Sequence, residues 1–229
     1  MAARVDLRKA MATPQSEFLI SEEEYLAMER TSDERHEYID GFVFAMAGES
    51  PEHGQICMNL SRIISTQLLD TPCDARAQNT KVRSGPMPAS RNKPKGLYSY
   101  PDFVVFCDNA QFLDAHKDVL VNPVVIIEVL SKSTEKFDRV EKLLLYRNWN
   151  ADLTAYLLIW QTRPVIEHYA RQADDQWTHH VYVGLEASFT IQSINCTLRL
   201  SDVFYRVGFP PDEVRDNEIV GQAMEEKER

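Results

Sequence analysis

Apolar residues along this chain fall into two kinds of run. Short blocks rich in β-branched and aromatic side chains have the length of strands, while two longer stretches repeat apolar positions every three or four residues, as amphipathic helices do. The block Val124–Leu130 holds six apolar residues and one acid, Glu128. It has the composition of a central strand. The block Phe103–Cys107 is a second such strand, and Asp102 opens it.

The remaining pattern orders the elements. Residues 1–17 are polar and aperiodic and read as a flexible arm. Ser21 followed by Glu24 is a capping box, so a first helix runs from there to about Thr31 or Ser32. Asp40-Gly41 between short apolar runs predicts a hairpin with both turn residues at positive φ. Ser50-Pro51-Glu52 starts a second helix, to about Leu69, with Ile56, Leu60, Ile63, Ile64 and Leu68 on one face. Residues 75–83 read as one strand and 84–98, rich in proline and glycine, as an exposed loop. A helix capped by Ser133 or Thr134 runs to about Asn148, with Phe137, Val140 and Leu144 toward the sheet and Asp138 and Lys142 on another flank. Strands are expected at 154–160, 165–170, 177–183 and 187–192. The whole is one α/β domain over 18–209 on a mixed sheet, with an acidic tail at 210–229.

Two acids in strand cores require explanation. A buried carboxylate is disfavoured by several kcal/mol unless a cation or a set of donors compensates it. A divalent metal held by Asp102 and Glu128 is one solution, and a structural arginine or lysine is another. Composition narrows the class. No apolar run reaches membrane-spanning length and the N-terminus lacks a secretory apolar core, so a cytoplasmic protein without a membrane role is expected. Cys57, Cys73, Cys107 and Cys196 form no Cys-x-x-Cys pair and read as reduced structural thiols.

The net charge of −10 opposes indiscriminate binding to nucleic acid, yet Arg76 to Lys95 carries six bases (Arg76, Lys81, Arg83, Arg91, Lys93, Lys95) and no acid. That stretch is either a solvated loop or a track for a phosphate backbone. Phosphate-binding glycine loops, serine-hydrolase elbows and cysteine-protease signatures are absent from the sequence.

Tyr100-Pro101-Asp102, Ile127-Glu128-Val129-Leu130-Ser131 and the Asp138, Lys142, Tyr146 series follow Glu37-Tyr38-Ile39-Asp40-Gly41 and Glu52-His53-Gly54 in order. Over residues 18–209 this resembles the putative restriction endonuclease family of the PD-(D/E)XK nuclease superfamily. The resemblance implies a helix–three strands–helix–strand core and a Mg²⁺-dependent endonuclease, Mn²⁺ being a possible substitute, with DNA favoured over RNA. It implies that Asp102, Glu128 and the main-chain carbonyl of Val129 hold the metal. The superfamily lysine falls at Leu130, so Lys142, or else Lys132, is its candidate replacement. Glu37 is either a further ligand or a polar residue on an exposed hairpin face. His53 is either a neutral histidine that binds water or phosphate, or a helix cap. The rival reading is a catalytically inactive nuclease fold that binds nucleic acid or self-associates. A third is an enzyme acting on another phosphate ester. The late strands and the needs of double-strand cleavage point to a homodimer or higher homo-oligomer.

Overall fold

The computed structural model describes residues 19–210 apart from 47, 87–95 and 133. The expected N-terminal arm, the acidic tail from 211, Ser133, and Arg91, Lys93 and Lys95 lie outside the described residues. Helix α1 spans Glu22–Glu29, and both halves of its capping box form between Ser21 and Glu24. Strands β1 (His36–Ile39) and β2 (Phe42–Ala45) make the expected hairpin, with Asp40 and Gly41 at φ 47° and 96°. Helix α2 spans Pro51–Gln67, and the Ser50 hydroxyl accepts from the His53 amide.

Next come β3 (Cys73–Ala77), β4 (Lys81–Ser84), β5 (Leu97–Ser99), β6 (Phe103–Cys107), β7 (Val119–Leu120) and β8 (Val125–Leu130). One interrupted helix then runs as Glu135–Phe137, a π-helical turn at Asp138–Lys142, and Leu143–Trp149. Strands β9 (Ala155–Trp160), β10 (Val165–Arg171), β11 (Trp177–Val183), β12 (Ser188–Ile191) and β13 (Cys196–Arg199) precede a short helix, Leu200–Val203.

The central sheet has the order β11-β10-β9-β8-β6-β3, and only β8 and β9 run parallel. A parallel pair needs a crossover, and the interrupted helix supplies it. With α2 leading, this gives the helix–three strands–helix–strand core. A second sheet, β2-β1-β5-β4-β7, covers part of one face.

Side chains of β8 alternate between two cores. Val125, Ile127 and Val129 pack with Ile56, Leu60 and Ile64 of α2. Ile126 and Leu130 pack with Phe137 and Tyr146 of the interrupted helix and Ile39 of β1. Each such side chain, fully buried, contributes about 1.5–3 kcal/mol. Glu128 shares the second face and so points at the crossover helix. No helix among the described residues is long and apolar enough to cross a membrane.

Several expectations need correction. Residues 75–83 form two strands in two sheets, because Gln78 turns the chain at φ 31° and donates its amide to the Asp102 carbonyl. The segment from 84 to 98 is not all loop, since Leu97–Ser99 pairs with both β1 and β4. On the crossover helix Val140 and Leu144 are 40% and 50% exposed, while Asp138 and Lys142 are buried. The wider π turn rotates the face that regular helical spacing assigns to the sheet. Strand β13 goes beyond the expected set. Cys73 and Cys107 are not free thiols: they sit opposite each other in the β3–β6 register and form a disulfide, closing a sequence separation of 34 that gave no local signal. Cys57 and Cys196 are buried free thiols.

His168 in β10 is buried against Phe189, and its Nε2 has no partner. Burial, with His180 on the neighbouring strand, lowers its pKa to about 4. The unfolded chain therefore takes up a proton below about pH 6.5 that folded His168 refuses until about pH 4. Stability is lost as pH falls through that window, by up to roughly 3 kcal/mol at about 1.4 kcal/mol per unit. His168→Leu is expected to lose less stability than the parent between pH 7 and pH 4.5 in denaturant titrations. Parallel losses in the two proteins would place the acid sensitivity elsewhere.

Candidate active site

Pro101 explains how Asp102 is presented. The β6–β8 ladder ends at Phe103↔Ile127. Proline carries no amide hydrogen to extend it. Just past the end of the ladder the Asp102 Oδ2 accepts from the Val129 amide at 2.7 Å. Its Oδ1 lies 2.8 Å from His53 Nε2, in the first turn of α2.

Behind Asp102 lies a buried charge cluster. Lys142 Nζ is 2.9 Å from Glu37 Oε1, 3.2 Å from Glu128 Oε1 and 3.0 Å from Asp138 Oδ1, and each of these side chains is no more than 6% exposed. Asp138 Oδ1 is within ion-pair range but out of line for a hydrogen bond, and it has no other partner. With Asp102, four carboxylates converge here on one ammonium and one imidazole. Negative charge is in excess even when His53 is protonated.

The proton affinities reflect that excess. Burial raises Glu128 well above the ordinary carboxylate range, and Asp138, Asp102 and Glu37 add to it against the opposing Lys142. Burial likewise raises Glu37, although Lys142 opposes it. Burial alone would lower Lys142, but Asp138, Glu128 and Glu37 outweigh it and keep the ammonium charged. Burial would also lower His53, yet the Asp102 hydrogen bond and charge win and push it upward. The expectation of a neutral His53 rests on burial and the positive end of the helix, and the Asp102 carboxylate opposes both.

These groups line one cleft of about 520 Å³ together with Arg35, Glu49, Gln78, Tyr100, Ser131, Thr134 and Gln161. Gln161 bridges the Ser50 hydroxyl and the Leu130 carbonyl, tying the start of α2 to the end of β8. Leu130, at the expected lysine position, is buried in the core. Lys142 reaches Glu128 from the crossover helix instead, whereas Lys132 is exposed. Tyr146 bonds Ser99 within the core and does not line the cleft. Glu37 is buried beside Lys142 and is not on an exposed hairpin face.

The basic stretch divides. Arg83 is buried and paired with Glu22, and buried Lys81 is 3.0 Å from Asp118. Asp118 and Asp114 also hold Arg30, so the acidic loop is knit to α1. Lys81 and Arg83 therefore serve the fold and do not form part of a solvated track. Arg76 is half-exposed and pairs with Asp74. Sequence reasoning missed Arg35, an exposed cation on the cleft wall that donates to the Gln78 carbonyl. It sits one residue before β1, where nothing local distinguishes it.

The chemistry of the donors suits a hard divalent cation: Asp102, Glu128, Glu37 and Asp138 offer carboxylate oxygens to one cleft, and Asp138 Oδ1 is a buried oxygen without a hydrogen bond. With Lys142 between three of them, no three of these carboxylates lie within 4.8 Å of one another.

Comparisons with known proteins agree with this fold. A family model, Uma2, described as putative restriction endonuclease, matches residues 22–201. Two uncharacterized proteins of Synechocystis sp. are similar to this chain. One is 32% identical over 194 residues, covering 82% of this chain and 92% of its own length; the other is 31% identical over 159 residues, covering 69% and 85%. A crystal structure described as a putative nuclease belonging to DUF820, from Anabaena variabilis, aligns with a TM-score of 0.64 at 17% identity, over 81% of this chain and 97% of that one. The fold is thus that of a nuclease-like α+β class with a mixed central sheet. The chain belongs to the Uma2 family of putative restriction endonucleases, a membership that supports nuclease function.

Lys142 offers a direct probe of the cluster. Replacing it by Met leaves Glu37, Glu128 and Asp138 buried together without their cation. Lys142→Met in metal-free buffer is expected to lower the unfolding free energy at about pH 7.5 by about 3–5 kcal/mol. The loss should shrink as pH falls, because protonation relieves acids whose folded pKa is raised. A pH-independent loss in urea titrations would contradict this.

Proposed function

We propose that this protein is a divalent-metal-dependent endonuclease acting on DNA, with Asp102 and Glu128 as metal-holding carboxylates. The observation that carries this reading is the convergence of Glu37, Glu128 and Asp138 on Lys142, with Asp102 lining the same cleft. A bound Mg²⁺ or Mn²⁺ would supply charge neutralisation at phosphoryl oxygens and a more acidic water. Glu37 and Asp138 are the further carboxylates that line the cleft. The Val129 carbonyl is retained as a third ligand through the family resemblance, and the Val129 amide fixes Asp102.

The chain's own groups have separable roles. Lys142 Nζ stays protonated and holds the Glu128 carboxylate in place, and it takes the part that the resemblance gives to the superfamily's strand lysine. His53 Nε2 faces Asp102 Oδ1 at 2.8 Å and orients that carboxylate. Arg35 offers an exposed guanidinium for a substrate phosphate. A non-catalytic reading also has an observation in its favour, since Lys142 satisfies three acids as a structural ion pair would. Assembly as a homodimer is supported by β11, a sheet edge on which Val181 and Val183 are exposed.

Asp102→Asn and Glu128→Gln are expected to abolish Mg²⁺- or Mn²⁺-dependent cleavage of supercoiled and linear duplex DNA. Glu128→Gln should keep or raise apo stability while erasing the metal-dependent rise in Tm. A strongly destabilised Glu128→Gln, with no metal effect in the parent, would favour the ion-pair reading.

Arg35→Ala is expected to weaken DNA binding by inactive Asp102→Asn protein across sequences and to lower the salt slope by about 1. An unchanged slope would remove Arg35 from the phosphate contacts.

A further inference from the structure

The start of α2 carries a second set of donors beside the carboxylate cluster. Glu49 lies just before the Ser50 cap, and His53 and Cys57 follow four residues apart on one helix face. A carboxylate oxygen, an imidazole nitrogen and a thiol sulfur of these three residues all lie within 4.8 Å of one another. Their exposure grades from buried Cys57 through His53 to exposed Glu49, so an ion could enter from the cleft side.

Neighbouring groups already orient two of the three. His53 Nε2 is committed to Asp102 Oδ1 at 2.8 Å, which leaves Nδ1 for a ligand. A carboxylate on the far nitrogen is how metal-bound histidines are usually held. Gln78 Nε2 donates to Glu49 Oε2 at 2.9 Å, which leaves Oε1.

We propose that Glu49, His53 and Cys57 form a second cation site, selective for a borderline-soft divalent ion of the zinc class. Three protein ligands leave a fourth position for water, as in open zinc sites. Donors about 2.0–2.3 Å from such an ion stand roughly 3.5–4 Å apart, so modest side-chain rotations complete the set. The sulfur donor decides the class, because Mg²⁺ takes oxygen ligands and thiolates favour softer metals. The positive end of α2 opposes a cation by up to about 1 kcal/mol. Glu49 and Asp102 oppose that effect, and Cys57, whose thiol is pushed up by burial, releases its proton to solvent as the ion binds. The site does not depend on the Mg²⁺ reading, but Asp102 belongs to both and links them.

The test uses the full chain, stripped of metal, with Co²⁺ as a spectroscopic probe. One equivalent should produce a thiolate-to-cobalt charge-transfer band and visible bands of four-coordinate geometry. Zn²⁺ should displace the ion, and millimolar Mg²⁺ should not. Cys57→Ser should lose the charge-transfer band, whereas Cys196→Ser and the Cys73→Ser, Cys107→Ser double variant keep it. Exposed Glu49→Gln, which leaves the core untouched, should lower Zn²⁺ affinity at least about tenfold. No thiolate band in the parent, a band that survives Cys57→Ser, or unchanged affinity in Glu49→Gln would overturn the proposal. Glu128→Gln separates the two readings: it should keep the cobalt band while losing the Mg²⁺-dependent effects.

Discussion

The arrangement rests on the burial of Glu128 in the middle of β8. A carboxylate there is tolerable only beside a cation, and Lys142 is the cation that reaches it. That requirement bears on the chain around it. β8 and β9 are parallel, so a crossover helix must lie over the face on which Glu128 points. A regular α-helix with its apolar stripe on the sheet would carry Val140 and Leu144 inward. The π turn at Asp138–Lys142 turns Asp138 and Lys142 inward instead and leaves those apolar side chains in solvent. Apolar burial is forgone at two positions to bring an ammonium to the acids, which is a recurrent association of π turns with functional sites.

A second polar framework aims the remaining acid. Glu29 of α1 accepts from the His36 amide and the Tyr100 hydroxyl, and its other oxygen meets His36 Nδ1. Glu22 of the same helix holds Arg83 and Tyr98. These bonds fix β1 against α1 through His36. Residues on a strand alternate in direction, so fixing His36 on one side sends Glu37 to the other, toward Lys142. The buried bases of the 76–95 stretch thus belong to the machinery that positions the cleft, and this is why local charge counting misjudged them.

Much of the fold was legible because its signals are local. The Ser21–Glu24 capping box, the Asp40-Gly41 turn, the Ser50-Pro51 helix start and the β8 run each specify their element within a few residues. What failed was non-local. The break at Gln78 depends on a bond to Asp102, and the Cys73–Cys107 disulfide depends on β3 pairing with β6. The rotated face of the crossover helix follows from acids far away in sequence. In the cleft, Asp102, Glu128 and Lys142 stood out as charges in apolar or patterned surroundings. Arg35 and Gln161 did not, because nothing near them in the chain is unusual.

The Pro101-Asp102 pair shows how a short motif can encode a site. Proline removes a donor where the β6 ladder ends, and just past that end the Val129 amide of β8 takes the Asp102 carboxylate as its acceptor. An unpaired buried amide is disfavoured by about 1–3 kcal/mol, so a carboxylate that accepts from it is itself stabilised. Asp102 is thereby locked at Oδ2 by the residue next to Glu128 and at Oδ1 by His53 of α2. Three elements meet at one side chain. Each of its oxygens keeps a lone pair free after one hydrogen bond, so the same carboxylate that closes the ladder remains able to bind a cation in the cleft.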